Sequence, residues 1–239
     1  MSAVPPLAFA LTRIHARHAR LPTALDWRRL GEARDRTDCL LQARGTGLRP
    51  WLRNVADSDS VDEVEIKLRA SQRRYLAEVA GWLAPAWRPA TLWLGRLTDL
   101  APLEYLRQGG NPLPWMELDP ALAPWVRPGE PRPSGTGLTD PAPLLAHPER
   151  DPADAWRGHW LSLWPGSCPP QAGPLAGALA NVAVAGSPAA RARLLSVFRG
   201  TPLHVAALFA HLGLFTDDLR RLAGELARRL PRMLVDEAA

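Results

Sequence analysis

Leucine and tryptophan recur along this chain at intervals of three and four, and nowhere does a convincing run of alternating β-branched residues appear. That period matches the turn of a helix and leaves no pattern from which to build a sheet, so an all-α fold is expected. Leu7, Leu11, Ile14, His18 and Leu21 define one face of a first helix, with Arg13, Arg17 and Arg20 on another, and Pro22 ends it. A second helix is expected from Asp26 as N-cap to Gly45, turning Trp27, Leu30, Thr37 and Leu41 inward. The third carries the strongest start signal. Ser60 and Glu63 form a capping box ahead of a stripe made by Val61, Val64, Leu68, Tyr75, Val79 and Trp82, which predicts a helix to near Leu83. Shorter helices are expected around Trp87 to Leu97 and from Pro102 to Gln108.

From Asn111 to Pro152 prolines recur every few residues, and each removes an amide donor and restricts the residue before it. This stretch reads as a long connection without regular structure that lies over the helical body, with Trp115 and Trp125 tying it down. It divides the chain into an N-terminal helical lobe, residues 1–110, a proline-rich linker, 111–152, and a C-terminal helical lobe, 153–239. In the last, Trp156, Trp160 and Trp164 stand four apart, Ala172 to Ala185 is a small-residue apolar helix, and Ser187 with Pro188 opens a helix to Phe198. A helix carrying Leu203, Ala207, Leu208 and Leu212 is expected to stop near Gly213. Thr216 then caps a final one, with Asp217 and Asp218 in its first turn and Arg228 and Arg229 in its last.

The 239 residues carry a formal charge of +5, with Lys67 the sole lysine. Positive and negative residues are interspersed, and a bias this strong toward arginine is what a GC-rich coding sequence produces. The single lysine lies mid-helix, which excludes a phosphate-binding loop, a kinase lysine and a Schiff-base lysine together. Asp57, Asp59, Asp62 and Glu63 begin like a calcium loop, but Val61 and Asp62 occupy positions where that loop needs a ligand and a glycine, so a capped helix start is the better reading. His15 and His18 are three apart without further ligands nearby, and Cys39 and Cys168 have no metal or disulfide spacing. No catalytic, cofactor or metal site is expected. The best remaining catalytic candidates, Asp154, His159 and Cys168, match no known arrangement.

Two groups remain as partner-binding candidates: the arginine row Arg13, Arg17 and Arg20, and the stripe Trp156, Trp160 and Trp164, whose plainer reading is a set of core anchors. The arginines do not interleave with aromatics as nucleic-acid binding would require, so no nucleic acid is expected. No transmembrane or signal segment is expected, and the cytoplasm is the expected location; a place at the inner face of the membrane follows only from a family resemblance.

The region from Phe9 to Gly109 resembles the V-type ATPase C/d family, the helical adaptors of the rotary ATPases. An aromatic residue leads a small, arginine-rich helix from Phe9 to Leu21. Helices from Asp26 to Arg44 and from Ser60 to Leu83 follow in order, and Leu97 to Gly109 is similar to the family segment Trp-Asp-x-x-Asn-Leu-x-x-Leu-Leu-Arg-Gly. The family's asparagine is absent here, and Pro102 precedes Leu103. Val205 to Arg229 looks like the family's closing helix pair, although members usually have three related lobes where this chain has room for about two. The resemblance implies a non-catalytic, funnel-like adaptor that joins the central stalk of a rotary ATPase to its membrane ring. The alternative is a cytoplasmic scaffold or assembly factor for another protein partner.

Overall fold

The computed structural model describes residues 6–127, 142–145, 150–166 and 168–229. Thirteen α-helices follow one another among them: α1 (Pro6–His18), α2 (Ala24–Glu32), α3 (Arg36–Arg44), α4 (Val61–Trp82), α5 (Arg88–Trp93), α6 (Leu100–Arg107), α7 (Pro114–Leu118), α8 (Ala123–Val126), α9 (Ala142–Leu145), α10 (Pro152–Ser162), α11 (Ala172–Ala185), α12 (Pro188–Gly200) and α13 (Val205–Ala227). Short 3₁₀ turns stand at Arg49–Trp51, Pro85–Trp87 and Leu94–Asp99, and there is no strand among the described residues. The all-α expectation holds. No described helix is long and apolar enough to cross a membrane.

Local chemistry sets the helix ends. Ser60 and Glu63 exchange the bonds of a capping box at α4, as their spacing predicts. The expected second helix is instead two helices. Thr23, not Asp26, is the cap of α2, and Asp26 is its reciprocal partner in a second capping box. Asp35 then opens α3 by accepting from the Asp38 amide. The break resets the helical phase, which is why Leu41 faces solvent rather than the core.

The C-terminal region departs further from expectation. Gly213 and Thr216 lie inside one continuous helix, α13. Gly213 is a point of close approach, where a Cβ would run into Leu179 of α11 and Leu194 of α12. Thr216 turns its hydroxyl back to the Leu212 carbonyl (2.9 Å) and accepts from Gln72 of α4 (2.9 Å) instead of capping. Leu203 precedes this helix and is 86% exposed; His204 is the cap, its Nδ1 accepting from the Ala206 amide.

Helix α13 is buried continuously from Val205 to Leu219 and packs against α1, α3 and α4 as well as α11 and α12. One apolar core therefore runs from Ala10 to Leu226, and the two halves share it rather than each closing its own lobe. Part of the proline-rich stretch is helical too. Trp115 and Met116 of α7 and Leu122, just ahead of α8, are buried against Ile66 and Leu106, and Leu144 of α9 joins the main core. Proline serves here as a first-turn residue, at Pro114 and Pro124, where its missing amide costs nothing. Residues 128–141 and 146–149 of that stretch lie outside the described residues.

The tryptophan stripe is core. Trp156 and Trp160 have no exposed surface and Trp164 has 5%. Trp160 donates its indole N–H to the Ala90 carbonyl (2.9 Å) and meets Phe209 edge-on at 5.1 Å. Trp156 donates to the Trp93 carbonyl (3.3 Å). Buried in this way, the rings present nothing to a partner, which corrects the docking reading of Trp156, Trp160 and Trp164. Trp160→Ala is expected to cost about 3–5 kcal/mol in a urea unfolding titration, since it opens a cavity between α5, α10 and α13; a loss below about 1 kcal/mol would remove Trp160 from the core.

Candidate anion-binding cleft

Helix α1 ends at His18, and the chain then turns through Arg20 to Pro22 against the 45–54 segment. Gly47 permits this approach, because a Cβ there would collide with the Arg20 carbonyl. Between that turn, α4 and α13 opens a cleft of about 480 Å³. Arg17, Arg20, Arg53 and Arg74 line it, and among the described residues Glu78 is the one carboxylate in its wall. The volume falls within the ordinary range for a ligand site.

Aromatic rings form part of its lining. Trp51, Tyr75 and Phe215 meet pairwise at 4.5 to 4.7 Å between ring centroids. Trp51 is half-buried, and its carbonyl accepts from Ser71 Oγ at 3.1 Å. Arg74 donates to that same hydroxyl at 3.1 Å, which orients its guanidinium along the wall. Arg17 forks onto both Glu78 oxygens (3.1 and 2.8 Å), with its Cζ 4.9 Å from the Tyr75 ring centroid. Arg20 and Arg53 bond through their side chains to no described residue, so their donors are available to an anion.

Below the rings lies a short chain of uncharged polar groups. The Tyr75 hydroxyl is 2.8 Å from His211 Nε2, and His211 Nδ1 is 3.4 Å from His18 Nδ1. Burial, followed by the charges of His18 and Arg17, lowers the His211 pKa to about 3, and burial with the nearby His15 and Arg199 lowers that of His18 to about 4. Burial pushes the Tyr75 phenol up to about 12 against the opposing pull of Arg17. These groups are neutral at physiological pH, so the positive character of the cleft comes from the arginines.

Of the arginine row, Arg17 and Arg20 line this cleft, while Arg13 lies over the rings of Phe9 (5.3 Å) and Trp82 (4.7 Å). Arg53, Arg74, Trp51, Tyr75, His211 and Phe215 do not stand out as a site in the sequence. The only local signal is Pro50-Trp51 flanked by Arg49 and Arg53 in a non-helical stretch. Asp154, His159 and Cys168 do not assemble: Asp154 pairs with Arg157, His159 packs on Trp93 at 4.3 Å, and the Cys168 thiol, its pKa raised by burial, faces the Leu161 carbonyl. His15 bonds the Pro202 carbonyl (2.9 Å), while His18 stacks on Phe198 at 3.7 Å. Asp59 of the acidic run pairs with Lys67 at 2.6 Å and accepts from the Ala56 amide at 2.8 Å. Among the described residues no group of three or more histidine, cysteine or acidic side chains is placed to hold a metal ion. Compared with known proteins, the chain matches no family model, no curated protein and no solved structure.

The buried titratable groups set a pH dependence. His18 and His211 lie below their ordinary value in the folded state, whereas burial pushes Asp218 up to about 7 against the opposing charge of Arg191. Unfolding between about pH 5 and 6 therefore lets two imidazoles take up protons while Asp218 releases one. From these three groups, stability rises with pH there with a slope of about one proton. His211→Gln, which keeps a partner for the Tyr75 hydroxyl, is expected to bring that slope close to zero in urea titrations at successive pH values. An unchanged slope would mean that His211 is not held neutral.

Proposed function

We propose that this protein is a non-catalytic helical adaptor that holds an acidic segment of a protein partner in the cleft at the end of α1. The observation that carries the reading is the convergence of Arg17, Arg20, Arg53 and Arg74 on a half-buried tryptophan, with Glu78 as the one opposing carboxylate among the described residues and two of the guanidiniums without a described partner. Arginine donors around an aromatic patch are what a partner anchor uses, because the fork binds a carboxylate in two places and the ring supplies apolar area at little entropic cost. The resemblance of Phe9 to Gly109 to the V-type ATPase C/d family gives the partner its suggested identity, a component of the stalk or membrane ring of a rotary ATPase. That role would place the protein at the inner face of a membrane through its partner.

A second reading, a scaffold or assembly factor for a different protein, is favoured by the shared core. The chain closes one continuous interior instead of the separate lobes usual in that family. Affinity purification from native membranes separates the two. The adaptor reading expects rotary-ATPase components to be retained by the wild-type protein and lost by R20E/R53E, with helicity unchanged in circular dichroism. Partners recovered equally by both proteins would sink the cleft as the anchor. A charge-sensitive partner with no rotary-ATPase component would leave the scaffold reading in place of the adaptor.

A further inference from the structure

The turn after α1 has a second side. Leu21 lines both the cleft described above and a larger groove of about 770 Å³ between α2, α12 and α13, and the contact of His18 with His211 lies between the two. Arg28, Arg191, Arg199 and Arg221 line this groove, and no acidic side chain does so among the described residues. Two of the four are held in place. Arg191 donates to Asp217 (2.7 Å) and lies 2.9 Å from Asp218, both carboxylates being buried behind it, and the Arg221 guanidinium rests 4.1 Å over the Trp27 ring. The other two, Arg28 and Arg199, are exposed and bond through their side chains to no described residue. Two buried carboxylates behind four guanidiniums leave the groove positive at its surface.

We propose that this groove binds a multiply phosphorylated small molecule, either a soluble polyphosphate or the head group of a polyphosphorylated lipid. Arg191 and Arg199 are eight residues apart on α12, roughly 12 Å along the axis, which is further than a single carboxylate reaches and calls for several anionic groups on one ligand. Phosphate suits the guanidinium fork, and at about −1.5 to −2 per group it competes better than a carboxylate for an Arg191 already facing two acids. The walls are helices and the turn after α1, whose Leu21 and Thr23 amides are already bonded to the His18 carbonyl and to Asp26, so they offer an extended peptide no edge to pair with. Of the rings in the groove's described lining, Trp27 is buried beneath Arg221 and His18 is already stacked on Phe198 at 3.7 Å, which disfavours stacking by a nucleic-acid base. Fixed Arg191 and Arg221 form a prepared floor, and Arg28 and Arg199 close on the ligand from the two sides.

The groove and the neighbouring cleft are tested through different residues, so the adaptor reading can fail while this one stands. Inositol hexakisphosphate titrated calorimetrically into the full-length protein at physiological ionic strength is expected to bind, and R28E/R199E to weaken it about tenfold or more with an unchanged melting temperature. R20E/R53E, in the cleft, is expected to change it by no more than about twofold. Co-sedimentation with phosphatidylcholine vesicles containing phosphatidylinositol bisphosphate, against vesicles of equal charge made with phosphatidylserine, distinguishes the sources. Preference for the bisphosphate that R28E/R199E abolishes assigns a lipid head group, and binding of the free inositol phosphate alone assigns a soluble ligand. Absence of binding in both formats, or equal weakening by the two double variants, would overturn the proposal.

Discussion

A helix buried on every side must find a partner for each polar side chain it carries, and α13 carries His211, Thr216, Asp217 and Asp218 within its buried run. The answering groups come from α1, α4 and α12 as well as from α13 itself. His211 meets Tyr75 of α4 and His18 of α1, Thr216 meets Gln72 of α4, and Asp217 takes Arg191 of α12 and Arg220 one turn along its own helix. Apolar packing supplies the driving force for burying α13, but it has no direction. The polar contacts fix the rotation of α13 and which helices surround it, since turning it would leave these groups unpaired at a cost of several kcal/mol. Asp218 is the least well satisfied. Arg191 is close enough to attract it but too far off line to donate a hydrogen bond, which is consistent with its carboxyl holding a proton near neutrality.

A second hub, also on α4, works the same way. Arg69 is almost fully buried, with its guanidinium on Glu65 (2.7 Å), Asp99 (2.7 Å) and the Thr98 carbonyl (2.6 Å), and its Cζ lies 4.3 Å from the Trp115 ring centroid. Asp119 is likewise buried. It receives Arg73 of α4 at 3.1 Å and accepts from the Ala121 amide ahead of α8. These two side chains fasten the first part of the proline-rich stretch to the body. Prolines limit what backbone hydrogen bonds that stretch can make, so side-chain charges take over the role of holding it.

The helices are legible in the sequence wherever a helix has two unlike faces or a side-chain cap. Ser60 with Glu63 and Ser187 with Pro188 mark starts that the structure keeps. Helix α13 escapes that reading for a physical reason. A helix without a solvent face along most of its length has no polar stripe to reveal its phase, so its internal glycine and its threonine followed by two aspartates look like a stop and a start. The division into two lobes fails for the same reason, because the element that unites the halves is the one whose continuity is hidden. At Trp156, Trp160 and Trp164 the periodicity is right, yet period alone cannot say whether a wide stripe faces a partner or the interior; the carbonyls of Ala90 and Trp93, some 60 to 70 residues away, decide that. The cleft is less legible still. Arg17 and Arg20 are visible in and just after α1, but Arg53, Arg74 and His211 reach the same space from a turn and two other helices, and no local pattern records that meeting.

Compositional bias concerns only which cation this chain carries, arginine rather than lysine. It does not account for where the arginines stand. A bias acts on residue identity at each codon and would leave cations scattered with respect to the fold, paired wherever a carboxylate lies within reach. That describes Arg107 on Glu104 and Arg157 on Asp154, which bond one turn away on their own helices. It does not describe the end of α1, where arginines from α1, the turn after it, the 49–54 segment and α4 converge beside three packed aromatic rings, with Arg20 and Arg53 bonded to no described side chain. Bringing like charges together costs free energy, since each guanidinium raises the potential felt by the next. Arg191, by comparison, is offset by the buried carboxylate of Asp217 at 2.7 Å. At the surface of the cleft that offset is supplied only in part, by Glu78, and an incompletely compensated concentration of positive charge over an apolar floor is the physical condition under which an external anion binds.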